Sequence, residues 1–91
     1  MTIIWAPTAL RDLRAIRRYI AKDDPYAADR TVALIAEKVK ALRGFPNVGR
    51  VGRLEGTREL VVPGTPYFVS YQLGEDGVKI LAVIHGARRW P

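Results

Sequence analysis

Apolar positions recur with helical spacing through the first half of the chain and with the period of a strand through its last third. Thr2 to Trp5 reads as a short first strand, and Ala6-Pro7-Thr8 opens a helix with proline in its first turn. Leu10, Leu13, Ile16 and Ile20 follow at spacings of 3, 3 and 4, one stripe of that helix. Arg11, Arg14, Arg18 and Lys22 line a second stripe, with Arg17 beside it. Asp23-Asp24-Pro25 ends this helix and starts the next, with Asp24 as N-cap and Pro25 at the first helical position. Ala28, Val32, Ile35, Val39 and Leu42 then keep a 4-3-4-3 spacing, the seam of two helices packed antiparallel. Gly44 stops the second helix, and Pro46 stands close behind.

Three strands are expected after a loop. The first carries Leu60, Val61 and Val62. The second alternates Tyr67, Val69, Tyr71 and Leu73 against Phe68, Ser70 and Gln72; the third alternates Val78, Ile80, Ala82 and Ile84 against Lys79, Leu81, Val83 and His85. A meander of this size needs a second layer to cover it. The expected fold is α+β: an N-terminal strand and an antiparallel helical hairpin packed on a small antiparallel β-sheet, in one domain over residues 1–91.

Composition narrows the function classes. With 48% hydrophobic residues, the chain can fold without a covalent staple. It has no cysteine, so disulfides and thiolate metal sites are excluded and a reducing cytosol is permitted; the expected location is cytoplasmic. Ile3-Ile4-Trp5 is too short to be the core of a signal peptide, and no segment has the length of a membrane span. The net charge of +6 lies entirely in residues 1–53, where 11 Lys/Arg face 5 Asp/Glu; residues 54–91 are balanced at 4 and 4. Such a surface is either a solvated helix face or the footprint of an acidic partner, nucleic acid or protein.

Candidate chemistry is sparse. The loop Asn47 to Gly56 contains glycines, but they lead into a strand and lack the Lys-Ser/Thr pair of a phosphate-binding loop. Arg50 and Arg53 in it are suited to a partner's carboxylates or phosphates. His85 is the only histidine and has no serine near it, and Asp23, Asp24 and Asp29 are explained by capping and the helix dipole, so neither a nucleophile triad nor a metal site is expected. Acid–base cleavage of RNA would draw on His85, Arg58, Arg88, Tyr67 and Tyr71. Each also has a structural reading: His85 as a hydrogen-bonded, partly buried imidazole, Tyr67 and Tyr71 as packing residues, and Arg58 as the partner of Glu55 or Glu75. Arg88, Arg89 and Trp90 have no following element to bury them and read as contact residues.

The order strand, helical hairpin, sheet carries a recognisable set of segments. These are Ala27-Ala28, Phe45-Pro46-Asn47-Val48-Gly49-Arg50, Gly56-Thr57-Arg58-Glu59-Leu60, Pro66-Tyr67 through Tyr71, and the closing His85-Gly86-Ala87-Arg88-Arg89-Trp90-Pro91. Over nearly the whole chain the combination resembles the RelE/ParE toxins of bacterial type II toxin–antitoxin modules. The resemblance implies a helical hairpin on an antiparallel sheet, no cofactor and no metal. It implies a cognate antitoxin whose acidic C-terminal segment folds on the toxin, with Leu13, Arg14, Arg17, Tyr67 and Tyr71 as its contacts here. Operator DNA would be reached only through the antitoxin, and no membrane is involved.

The family divides into two activities. RelE-type members cleave mRNA on the ribosome and carry an arginine in a strand reading aromatic-Arg-aliphatic-aliphatic-Tyr; the matching stretch here is Tyr67-Phe68-Val69-Ser70-Tyr71, with Phe68 in the arginine's place. A phenyl ring cannot stabilise the charge of a phosphorane. The lysines that RelE supplies ahead of that strand are missing as well, since residues 54–66 contain none. ParE-type members poison DNA gyrase and need no nuclease residues, and their last strand commonly ends Val/Ile-x-His, like Val83-Ile84-His85. The resemblance therefore implies a gyrase poison without catalytic residues, its toxicity carried by Arg88, Arg89 and Trp90 with Arg50, Arg53 and Arg58 in support. The alternatives are a ribosome-dependent, metal-independent ribonuclease using Arg58, His85 and Arg88, and a non-toxic partner-binding subunit of a repressor complex.

Overall fold

The computed structural model describes residues 1–90; Pro91, the last residue of the closing motif, lies outside the described residues. The chain runs β1 (Ile3–Trp5), α1 (Pro7–Ala21), α2 (Pro25–Lys40), a 3-10 turn (Ala41–Arg43), β2 (Arg50–Val51), β3 (Arg58–Val61), β4 (Tyr67–Gly74) and β5 (Gly77–His85). The five strands form one sheet in the order β1-β5-β4-β3-β2. The fold is α+β, as expected. The sheet is mixed rather than purely antiparallel, because β1 lies parallel to β5 with Ile3 opposite Val78 and Trp5 opposite Ile80. The helical hairpin carries the chain from β1 at one edge of the sheet to β2 at the other, and the antiparallel run from β2 to β5 brings it back beside β1. A short strand at Arg50–Val51, in the segment expected to be loop, closes the far edge of the sheet.

Local chemistry sets the helical hairpin. The Asp24 carboxylate accepts hydrogen bonds from the Tyr26 and Ala27 backbone N–H groups, both at 3.1 Å, and Pro25 occupies the first helical position. Two of the amides that a helix start leaves unpaired are thereby satisfied. Arg17 of α1 reaches Asp29 of α2 at 2.8 Å across the hairpin. The seam residues Ala28, Ile35, Val39 and Leu42 are buried, as the 4-3-4-3 spacing predicts. They meet Leu60, Val62, Tyr67, Val69, Tyr71, Val78, Ile80 and Val83 from the sheet in one core, against which Leu13, Ile16 and Ile20 pack half-buried. At about 1.5–3 kcal/mol for each fully buried aliphatic side chain, this layer outweighs any other contribution to stability.

One irregularity decides what the sheet presents on each face. Ser70 of β4 lies opposite Ala82 and Tyr71 lies opposite Ile80, so Leu81 is an extra residue in β5. A bulge of one residue reverses the alternation beyond it. The expected grouping of Val78, Ile80, Ala82 and Ile84 is therefore broken at Leu81. Val78, Ile80 and Val83 join the core beneath the helices, while Ala82 and Ile84 turn to the opposite face and cluster with Phe68. Beyond the bulge, α1 serves the free edge of β5: the Thr8 hydroxyl donates to the Leu81 carbonyl at 2.7 Å, and Asp12 Oδ2 accepts the Val83 N–H at 3.0 Å.

Candidate functional site

The face of the sheet away from the helices carries no second layer of helix. Glu59 sits on it with its side chain only 2% exposed, opposite Arg50 in the β2–β3 ladder. Its carboxylate accepts from Arg50 Nη2 at 3.2 Å and from the Arg53 backbone N–H at 3.1 Å, with Arg53 Nε at 3.9 Å. A buried carboxylate needs such partners, since desolvation alone would make its charge untenable. One negative charge faces two positive ones, so the cluster keeps a positive surplus, and the arginine side chains remain 57% and 46% exposed. Both guanidinium groups lie over the Phe68 ring, Arg50 at 6.0 Å and Arg53 at 5.6 Å from its centroid.

The tail completes this face. Trp90 packs half-buried against Phe68, Ala82 and Ile84, and Arg53 Nη1 donates to the Trp90 carbonyl at 2.8 Å. The chain reverses toward it through a Gly86 N–H to Pro66 carbonyl bond and an Arg88 N–H to His85 carbonyl bond at 2.9 Å. Trp90 is therefore not left without an element to cover it, as its position near the chain end suggested: the bulge has turned Ile84 and Ala82 outward and made a seat for the indole. Arg88 and Arg89 are exposed on the tail. A small hollow of ≈ 160 Å³ lies among Arg50, Arg53, Phe68, Val61 and Gly86.

Between α1 and the ends of β4 and β5 lies a second, larger cleft of ≈ 320 Å³, lined by Asp12, Ala15, Ile16 and Tyr19 of the helix and by Tyr67, Val83, His85 and Arg88. Tyr67 meets His85 edge to face with ring centroids 5.4 Å apart. Burial, with the neighbouring Tyr19 phenol adding to it, pushes the Tyr67 hydroxyl above its ordinary pKa, so it stays a hydrogen-bond donor. His85 is exposed rather than partly buried, but it is hydrogen-bonded: Nδ1 accepts the Ala87 N–H at 3.1 Å, which leaves Nε2 to carry the proton of the neutral ring.

The residues singled out in the sequence are thus divided among different places. Arg50, Arg53 and Trp90 come together on the sheet's open face, and Tyr67, His85 and Arg88 share the cleft. Arg58 joins neither. It pairs with Tyr71 in β3–β4, whereas His85 pairs with Tyr67 in β4–β5, four residues or about 13 Å along the strands and two strand spacings across. Its guanidinium donates to the Gly49 carbonyl at 2.7 Å and the Asn47 carbonyl at 3.2 Å, not to Glu55 or Glu75, and braces the loop that carries Arg50. Tyr71 is wholly enclosed, with its hydroxyl between the Gly49 N–H and the Pro46 carbonyl, so it offers no surface to an antitoxin. Leu13 is half-buried against the core, whereas Arg14 and Arg17 are exposed on α1. Glu59, which organises the open face, was not singled out in the sequence. Its signal there is an acidic residue between Arg58 and Leu60 in a strand whose neighbouring loop supplies two arginines.

The comparisons with known proteins agree on one family. Residues 3–90 match the ParE toxin of the type II toxin–antitoxin system, parDE. Among curated relatives, a putative toxin, Y4kP, of Sinorhizobium fredii is 48% identical over 98% of this chain and 92% of its own length. Toxin RelE2 of Caulobacter vibrioides is 34% identical over 94% of this chain and 96% of its own, and toxin RelE3 of the same organism is 33% identical over 91% of each. Among solved structures, the chromosomal ParDE toxin–antitoxin system from P. aeruginosa superposes with a TM-score of 0.84 at 27% identity, covering 93% of this chain and 95% of that one. A helical hairpin on a five-stranded sheet, matched in sequence along almost its full length, places this chain in the ParE toxin family of type II toxin–antitoxin systems.

Proposed function

We propose that this toxin arrests growth by poisoning DNA gyrase, and that it is silenced by an antitoxin whose acidic segment orders on its surface. The observation that carries the target is Phe68. It occupies the position where ribosome-dependent members hold a catalytic arginine, and its ring is enclosed between the Ala82–Ile84–Trp90 cluster and the guanidinium groups of Arg50 and Arg53. An apolar ring packed in this way does no phosphoryl chemistry. The separation of Arg58 from His85 and Arg88 supports the same reading, because a nuclease needs its base, acid and cations within reach of one phosphate. No residue is then catalytic. The tail presents Arg88 and Arg89 from a base fixed by Trp90, with Arg50 and Arg53 beside it and Arg58 contributing through the loop it braces. The antitoxin reading draws on the solved ParDE system and on the basic, partly apolar face of α1. Operator DNA is reached through the antitoxin, and the site of action is the cytoplasm.

A ribosome-dependent ribonuclease is the second reading, favoured by the meeting of Tyr67, His85 and Arg88 in one cleft and by the names of the two Caulobacter relatives. The discriminating experiment adds toxin freed of antitoxin to relaxed plasmid, gyrase and ATP, and in parallel to translating ribosomes with a defined mRNA. Loss of supercoiling or accumulation of linear DNA supports the gyrase reading, and it should vanish in a truncation ending at Ala87 and persist, at reduced potency, in Arg58→Ala. Undisturbed gyrase at excess toxin, with mRNA cut in a His85-dependent way, would replace it with the nuclease.

A further inference from the structure

The Glu59 carboxylate is committed to the loop and not to the strand beside it. Its ladder neighbour in β4 is Ser70, whose hydroxyl is buried and has no hydrogen-bond partner among the described residues. Both carboxylate oxygens go instead to the loop: Oε1 accepts from Arg50 Nη2 at 3.2 Å, and Oε2 accepts from the Arg53 backbone N–H at 3.1 Å with Arg53 Nε at 3.9 Å. One group thus holds Arg53 both at its main chain and at its guanidinium. From that guanidinium, Nη1 donates to the Trp90 carbonyl at 2.8 Å, the one hydrogen bond between residues 88–90 and the loop among the described residues. A continuous line of contacts runs from a buried strand residue, through a half-exposed arginine, to the end of the tail.

Stability does not account for a carboxylate in this place. Water would satisfy the half-exposed Arg50 and Arg53, whereas the enclosed Glu59 gives up its own hydration. A buried ion pair adds little net stability over an uncharged residue of the same volume, and its better-attested use is to fix one arrangement among several. Here two arrangements compete. With the negative charge in place, Arg50 and Arg53 share one counter-ion and both lie over Phe68. Without it they are neighbouring like charges that repel, and Arg53, whose backbone N–H also loses its acceptor, swings into solvent and releases the Trp90 carbonyl.

We infer that Glu59 is the positioning residue of the tip: through Arg53 it holds the tail's Arg88 and Arg89 in fixed register with the Arg50–Arg53 pair, while its own side chain is too enclosed to reach a target. The inference rests on the gyrase reading for what the tip contacts, and it adds which buried group prepares that contact. Its energetic form is preorganisation. If the docked tail falls from nearly all molecules to about a tenth of them, the apparent affinity falls about tenfold, equivalent to about 1.4 kcal/mol, and the bound state is unchanged.

The test compares the full-length protein with Glu59→Gln, Arg53→Ala and the double variant, each in a Trp5→Phe background where Trp90 is the only indole. Glu59→Gln keeps the shape of the side chain and removes its charge. It should red-shift Trp90 emission about as far as Arg53→Ala does, and the double variant should shift no further, because both changes open the same contact. In the supercoiling assay Glu59→Gln should raise the half-inhibitory concentration about tenfold and still reach complete inhibition at excess toxin. A chain ending at Arg89 probes the link from its other end, with Glu59 intact and independently of whether Glu59→Gln folds: the Arg53 backbone N–H should exchange several-fold faster than in wild type. Trp90 emission of a folded Glu59→Gln equal to wild type, shifts that add in the double variant, or Arg53 exchange untouched by the truncation would each overturn the inference. A lowered inhibition plateau would overturn it too, by placing Glu59 in the bound contact. Gyrase undisturbed by wild-type toxin would overturn the gyrase reading, and emission and exchange would still decide whether Glu59 holds the tail.

Discussion

Removing one oxygen atom should loosen the loop that carries the basic cluster. The Tyr71 hydroxyl accepts the Gly49 N–H at 2.9 Å and donates to the Pro46 carbonyl at 2.8 Å, and both the ring and Gly49 are buried. In Tyr71→Phe the ring packing survives and both bonds disappear. The Pro46 carbonyl is half-buried and finds water, but the Gly49 N–H stays enclosed without a partner. A buried donor left in this way costs about 1–3 kcal/mol, and the second bond adds about 0.5–1 kcal/mol. The expected loss is thus about 1.5–4 kcal/mol, a large share of the stability of a domain this size, and it corresponds to a Tm lower by about 6–30 °C. Urea unfolding followed by circular dichroism reads it directly: the midpoint should fall with the slope unchanged. Amide exchange at Gly49 should accelerate well beyond that of the β4 core, since the loop opens before the domain does. A midpoint shift worth less than about 0.5 kcal/mol would refute the reasoning, because it would mean that water or a relaxed loop replaces both bonds.

Three further outcomes follow from the same geometry. In a Trp5→Phe background, where Trp90 is the only indole, Arg53→Ala should red-shift the emission and raise iodide quenching; an unchanged spectrum would show that the tail is held by apolar packing alone. Ser70 buries its hydroxyl with no hydrogen-bond partner among the described residues, so Ser70→Ala should be neutral or stabilising by up to about 1 kcal/mol, and a clear loss in chemical denaturation would reveal a missed partner. Burial holds the Tyr67 hydroxyl above the ordinary tyrosine pKa of 10.0, so past that pH the unfolded chain releases its proton first; wild-type stability should decline as pH rises past that value, and Tyr67→Phe should show a shallower decline in the same titration.

Much of the architecture was readable because its causes are local. The stripe from Leu10 to Ile20, the Asp24–Pro25 cap and the 4-3-4-3 seam each state a preference within a few residues, and the helices follow them. The bulge at Leu81 left no such mark. Ile80-Leu81-Ala82-Val83-Ile84 is apolar throughout, so a one-residue change of phase alters no hydrophobic pattern, although it decides that Ile84 faces Phe68 while His85 faces Tyr67. The parallel pairing of β1 with β5 was equally hidden, since it joins segments about 75 residues apart. At the site, the arginines were visible as charges and Trp90 as an aromatic, but their convergence on Phe68 depends on Glu59, whose role appears only when β2 is laid beside β3. Tyr71 is the packing residue that its own alternation suggested, and the antitoxin contact that the resemblance implied for it is not available. Alternation placed it on the correct face, yet alternation does not tell a groove from a core.

The strand order carries a consequence for how the molecule comes into being. β5 is made last and lies between β1, made first, and β4; α1 also relies on β5, through Thr8 and Asp12. A nascent chain lacking Gly77–His85 has neither the partner of its first strand nor the seat for its tail, and the contacts that join them span most of its length. Such non-local closure is slow relative to helix formation and cannot begin before β5 has been made. The helical hairpin is made before the strands that cover its apolar seam, and the seat of Trp90 is complete only once β5 has paired with β4. An unpaired β1 and an uncovered helical seam therefore persist until Gly77–His85 has been added to the chain.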